Sequence, residues 1–161
     1  MDQFLKHLEG IVDGDLVICN GIAYQKDIKT IDYDKDYFEK YVSYEDTEIA
    51  RKINQGRVAI VNKYHFNKCL DIGIGSGEFI KNRPNTYGFD VNPEAVRWLK
   101  RNDLFRYDYK NFACFTFWDV IEHIPSPQNI FNEIPKRSFL FTSIPLFKDL
   151  TKIRESKHYR P

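Results

Sequence analysis

The residues with the clearest chemical potential lie in CLDIGIGSGEF, Cys69 to Phe79, where an acid and three glycines are spaced Asp71-x-Gly73-x-Gly75-x-Gly77. Glycines at these points permit positive φ angles and remove the Cβ atoms that keep a ligand away from the backbone. The apolar run before the turn reads as a strand. The residues after it read as the start of a helix, whose first N–H groups have no partner inside the helix. A dinucleotide fingerprint needs glycine at the sixth position of G-x-G-x-x-G, and that position is Glu78. Asp71 stands where a dinucleotide site continues its apolar strand; a carboxylate there suits a cationic ligand and repels a pyrophosphate.

Further acids fall at the ends of later apolar runs. Asp90, in YGFDVNP, ends the second expected strand, at the edge where ligands gather in doubly wound sheets, and its carboxylate can accept hydrogen bonds from two ribose hydroxyls. Ile74 within the turn and Val91 after Asp90 complete the expected lining. Asp108 follows the third run and reads either as an acceptor for an exocyclic amine or as a solvated turn acid. The segment WDVIEHIPSP places Asp119, Glu122 and His123 after the fourth run. His123 titrates near neutral pH, so it is a candidate general base, with orientation of its own loop as the alternative. Asp119, Glu122 and His123 are hard ligands, but three from one short segment make an incomplete cation site, and no metal is expected.

Short apolar runs alternating with short helical stretches must position these groups. Strands are expected near 68–73, 86–91, 104–108, 114–119 and 138–144, which describes an α/β protein with a doubly wound, mostly parallel sheet of about five strands. Asn92 caps the helix after the second strand, with Pro93 at its first position and Ala95, Val96 and Leu99 as its buried stripe. Ser126-Pro127 opens a later helix with Ile130, Phe131 and Ile134 on its apolar face, and Pro135 ends it. Ser43 and Asp46 resemble a capping box ahead of a helix over about 44–64, with Ile49, Ile53, Ile60, Val61 and Tyr64 at helical spacing. The first forty residues read as polar and irregular apart from a hairpin, LVIC and IAYQ about Asn20-Gly21. The chain thus divides into an extension, 1–43, and a Rossmann-like domain with a preceding lid helix, 44–161.

Over residues 66–147 these motifs together resemble the class I methyltransferases. Asp71 to Gly77 matches the family's first motif, Asp90 the acid after its second strand, and WDVIEHIPSP the segment after its fourth. The resemblance is strongest to the branch of small-molecule and ubiquinone-type O-methyltransferases, which carry a Glu-x-x-Glu-His segment where this chain has Asp119 first. It implies S-adenosylmethionine as cofactor, bound by Asp71, Gly73, Ile74, Gly75, Gly77, Asp90, Val91, Asp108 and Asp119, and methyl transfer to a small molecule with His123 as the catalytic residue. In relatives the segment before the first strand often forms a lid, which makes Tyr41, Tyr44 and Arg57 candidates for the methionine carboxylate or the substrate. The family continues past its fifth strand through a further helix and two strands, whereas fourteen residues follow Phe147 here. A shortened chain is therefore expected, with an exposed apolar strand edge prone to pairing with another chain. The alternative function is a cofactor-binding fragment or interaction module without turnover.

Composition narrows the partners. With 24 basic and 23 acidic side chains, no global field draws the chain to nucleic acid or an anionic membrane. The Asp-Pro-Pro-Tyr-like motif of amino-directed DNA methyltransferases is missing, since Val120 and Ile121 follow Asp119. No cysteine follows a proline, as the cytosine-C5 enzymes require. Cys19, Cys69 and Cys114 are far apart in sequence and read as reduced core thiols. No apolar stretch suggests a membrane span or signal segment, so a cytoplasmic protein is expected.

Overall fold

A computed structural model describes residues 11–13, 16–19, 22–25 and 33–156, and the Asn20-Gly21 turn lies outside them. The chain falls into two compact units, residues 1–31, 123–125 and 145–161 in one and 32–122 and 126–144 in the other. In the first, β1 (Ile11–Asp13), β2 (Leu16–Cys19) and β3 (Ile22–Gln25) form an antiparallel sheet in sequence order, with Leu16 and Val17 buried. The same unit holds a short helix at Leu150–Arg154.

The second unit carries the site. Four parallel strands, β4 (Cys69–Ile72), β5 (Thr86–Phe89), β6 (Cys114–Trp118) and β7 (Phe139–Ser143), lie in the order β5-β4-β6-β7. The α/β, Rossmann-like architecture is as expected, with one strand reduced. Residues 104–108 contribute a single parallel bridge, Gly88 with Phe105, fixed by Gly88 N–H to Leu104 O and Arg106 N–H to Gly88 O, both 2.9 Å. Asp103, at φ 55°, turns the chain just before the bridge, and Asp108 caps a 3-10 turn just after it, so the strand has no length in which to extend.

Alternate side chains of the sheet serve two apolar layers. On one face Leu70, Ile72, Phe115 and Phe117 bury against Phe112 and against Ile130, Phe131 and Ile134 of the helix at Pro127–Glu133. On the other, Cys69 and Cys114 lie with Val61 and Phe79, and Val58, Trp118 and Phe141 pack around them. Each fully buried Phe or Leu contributes about 1.5–3 kcal/mol through removal from water. Both of these cysteines are free and buried. The hydrogen bond with Cys114, then burial, pushes the Cys69 thiol far up, which suits an unreactive core thiol.

The helices before the sheet depart from expectation. Instead of one helix from residue 44 there are two, α1 (Lys35–Tyr44), capped by Asp34, and α2 (Glu48–Tyr64), capped by Thr47, whose hydroxyl accepts from Ala50 N–H at 3.2 Å. Thr47 displaces the Ser43-Asp46 box because its side chain bonds the Ala50 amide in the first turn of the longer helix. The buried side of α2 is set by Asn54 and Val61, and Asn54 donates to the Glu78 carbonyl at 3.3 Å. Ile49, Ile53, Ile60 and Tyr64, which the helical spacing sets on one apolar face, are exposed. After the glycine turn, α3 (Glu78–Asn82) is only five residues long, and α4 (Pro93–Arg101) follows its Asn92 cap and buries Ala95 and Leu99.

Candidate functional site

The turn between β4 and α3 places all three glycines at positive φ, 74° for Gly73, 56° for Gly75 and 80° for Gly77. Two of them are also crowded. A Cβ on Gly73 would meet the Val120 side chain at 2.4 Å, and one on Gly77 would meet the Trp98 ring at 2.9 Å. Gly75 differs, because a Cβ there meets nothing within 4 Å. The turn is therefore clamped at both ends and bare at its crest, where a ligand can approach the backbone.

Two acids stand with the turn. The Asp90 carboxylate accepts from Asn92 N–H at 2.8 Å, and the amides of Gly75, Val91 and Ile74 favour its charged form. Burial, the larger effect, still holds its proton affinity above that of an ordinary carboxylate. Asp71 is 1% exposed and accepts from the Thr116 hydroxyl on the neighbouring strand at 2.6 Å. Burial raises it to about 7, opposed by the Thr116 hydrogen bond and by the charge of Arg57.

This shift fixes the sign of a pH effect. Asp71 holds its proton more tightly folded than unfolded, so the stabilisation is fully present below about pH 4 and is lost as pH rises to about 7. Thermal melts of the ligand-free chain should fall in midpoint across that window, and Asp71→Asn should flatten the slope. An unchanged slope in the variant would remove Asp71 as its source.

At the ends of β6 and β7 a second cluster forms. Arg57, from α2, donates to Asp119 Oδ2 at 2.7 Å, and Ser143 donates to Asp119 Oδ1 at 2.9 Å. Asp119 sits at φ 57°, and its N–H bonds the Ser143 carbonyl at 3.0 Å. The Arg57 guanidinium lies 5.0 Å from the Trp118 ring centroid, a cation over an aromatic face. The indole N–H of Trp118 is buried without a hydrogen-bond partner among the described residues. Arg57 thus joins α2 to the end of β6, within electrostatic reach of Asp71 and Glu78, whose upward shifts it opposes.

Of the residues singled out in the sequence, Asp71, Gly73, Ile74, Gly75, Gly77, Asp90, Val91 and Asp119 lie on or just beyond the carboxyl ends of β4, β5 and β6. Arg57 joins them through Asp119. Tyr41 and Tyr44 stay exposed on α1, where Tyr37 donates to the Tyr41 hydroxyl at 3.2 Å. Asp108 is occupied locally, accepting from Lys110 N–H at 3.0 Å and from the Asn111 amide. His123 ends the 3-10 turn Ile121–His123 and falls in the other compact unit. Among the described residues no group of three or more His, Cys, Asp or Glu is arranged to hold a metal ion. Ser143 had no sequence signal, since a serine at a strand end is unremarkable until the strand pairs with β6. A polar groove of about 470 Å³, lined by His65, Asn67, Lys68, Asn85, Asn111 and Ala113, opens at the opposite, amino ends of the strands and contains none of these residues.

A parallel sheet in this order, with a clamped glycine turn after its first strand and an acid after its second, defines a Rossmann-like methyltransferase of class I. The model of a family described as a methyltransferase domain matches residues 37–138, more than half of the chain, and the chain belongs to that family. Neither the curated proteins nor the solved structures contain a match. No helix among the described residues is long and apolar enough to cross a membrane.

Proposed function

We propose that this methyltransferase takes its methyl group from S-adenosylmethionine and passes it to a small-molecule acceptor. The observation that carries the reading is the open crest of the turn at Gly75, where the backbone faces open space and the amides of Ile74 and Gly75 hold the Asp90 carboxylate beside it. When bound, the cofactor supplies a methyl group already activated by a sulfonium. The chain's own residues have the work of binding, orienting and excluding water. Gly73, Ile74, Gly75 and Gly77 offer backbone to the cofactor, Asp90 and Val91 its ribose pocket, and Asp108 an acceptor for adenine. When ionised, Asp71 favours a cation above the turn, Arg57 suits a carboxylate, and Asp119 is the acid holding Arg57 in place. His123 is assigned as the base for an acceptor proton from its position in sequence after the fourth strand.

Calorimetric titration with S-adenosylmethionine tests the cofactor, and Asp90→Ala should weaken binding about 10- to 100-fold, the worth of one or two charge-assisted hydrogen bonds. Absence of heat at millimolar ligand would sink the proposal. A methyl-transfer assay against metabolite pools then tests the acceptor class. There His123→Asn should bind cofactor normally and lose the acid limb of its pH–rate profile; an intact limb would dismiss it as the base.

A further inference from the structure

Asp71 and Asp90 flank the same turn in opposite surroundings. Backbone amides of Asn92, Gly75, Val91 and Ile74 are directed at the Asp90 carboxylate, which suits a charge. Asp71 lies near the carboxyl end of β4, sealed from solvent, and its hydrogen bond comes from a neutral hydroxyl, Thr116 at 2.6 Å on β6. The charged groups around it give little support. Arg57 of α2 favours ionisation, but its guanidinium is committed to Asp119, beyond β6, at 2.7 Å. Asp90, beyond β5, opposes ionisation. Glu78, at the head of α3, draws on the same guanidinium, while Lys81 of that helix pairs with Glu45. Cys69 on β4 and Cys114 on β6 are buried thiols on the same face of the sheet. Thr116 can serve either form of Asp71, because a hydroxyl donates to a carboxylate and accepts from a carboxylic acid. When it accepts, the Cys69 sulfur at 4.0 Å is there to take its own proton.

We infer that Asp71 is a proton switch for cofactor binding, protonated in the free chain and ionised when a cationic cofactor seats on the turn, with its proton passing to the buffer. The inference rests on S-adenosylmethionine as the cofactor. Its positive charges supply what the buried carboxylate lacks among the chain's own groups. Their attraction, in a site that excludes water, offsets the desolvation that keeps the proton in place. Burial without a cofactor holds Asp71 at about 7, so the switch operates near neutral pH. Binding that releases a proton strengthens as pH rises. Affinity should therefore climb by up to about tenfold per pH unit below the midpoint of the free chain and level off above it. The plateau ends at about pH 8, where the cofactor's own ammonium begins to lose its proton. Occupancy of the methyltransferase site by its cofactor is thus set by pH.

Titration calorimetry of the full chain with S-adenosylmethionine, in buffers of differing ionisation heat, counts the protons released. Most of one proton per cofactor is expected at about pH 6 and about half of one at about pH 7. Thr116→Val keeps the shape of the side chain and removes the donor to the carboxylate. It should carry the breakpoint of affinity against pH upward by about one unit, the worth of a hydrogen bond to a charged group. Because that hydroxyl bonds Asp71, the shift separates its titration from that of Asp90. Asp71→Asn imitates the protonated form, and should bind weakly and equally at both ends of the range from about pH 6 to about pH 7.5. Heats that do not depend on the buffer overturn the inference while leaving the cofactor reading in place. So does a pH slope that persists in Asp71→Asn, or a breakpoint that Thr116→Val leaves where it was. Absence of binding at every pH overturns both.

Discussion

Gly73→Ala is expected to lower the stability of the chain by about 2–5 kcal/mol and to abolish cofactor binding. Two costs add. At φ 74° an L side chain occupies the left-handed region, worth about 1–2 kcal/mol of strain. The new methyl group would also lie 2.4 Å from Val120 Cγ2 and 2.8 Å from Cγ1, and a β-branched side chain anchored beside the core has few rotamers through which to yield, adding about 1–3 kcal/mol of overpacking. Denaturant unfolding measures the sum, and a double-mutant cycle separates its parts. Val120→Ala in the Gly73→Ala background should recover the packing cost and leave the backbone cost. Gly75→Ala provides the contrast. Its backbone is also left-handed, at φ 56°, but its Cβ enters open space, so only about 1–2 kcal/mol of stability should be lost while cofactor binding fails. If Gly75→Ala binds S-adenosylmethionine as well as the parent, the crest of the turn is not the cradle.

The same turn shows what can be read without a structure. Asp-x-Gly-x-Gly-x-Gly after an apolar run is decided by backbone sterics within a few residues, and so is Asn92-Pro93 at the head of α4, where the Asn92 side chain accepts from Glu94 N–H at 2.8 Å. The apolar face of the helix at Pro127–Glu133 follows from periodicity alone. Readings that depended on distant partners fared differently. Residues 104–108 have strand composition, but a strand is made by its neighbour, and only Phe105 finds one. The stripe Ile49, Ile53, Ile60 and Tyr64 has the spacing of an apolar face, yet the sheet meets the side of α2 bearing Asn54 and Val61, because Val61 packs into the cluster of Cys69, Phe79 and Cys114 while Asn54 bonds the Glu78 carbonyl. Arg57 could be suspected as a lid residue, whereas its pairing with Asp119 spans 62 positions of sequence and has no local signature.

Arg83 is the extreme case, and it carries the second large expectation. Nothing in the local sequence, between Asn82 and Pro84, marks it for burial, yet it is 1% exposed. Nε donates to Asn62 Oδ1 at 2.9 Å, Nη1 to Thr86 Oγ1 at 2.9 Å and Pro84 O at 3.4 Å, and Nη2 to His65 O at 2.6 Å and Asn67 O at 3.1 Å. The five contacts tie the carboxyl end of α2, the approach to β4 and the start of β5 into one junction. Every acceptor is neutral, so the charge is held by dipoles, among them the carbonyl that caps α2, where the helix presents its negative end. Arg83→Met keeps much of the apolar stem but strands several buried acceptors at a cost of about 1–3 kcal/mol each, partly relieved by entering water. A net loss of about 3–5 kcal/mol follows, enough to remove a large fraction of the stability of a domain this size. Arg83→Lys should retain part of it, since an ammonium offers three donors but cannot match a planar fork to acceptors on three segments. Because the junction lies at the amino ends of the strands, the molecules that remain folded should bind cofactor with unchanged affinity. A variant that unfolds at the parent's denaturant midpoint would show that the junction holds without its guanidinium. One that loses cofactor affinity while fully folded would show that the two ends of the sheet are coupled.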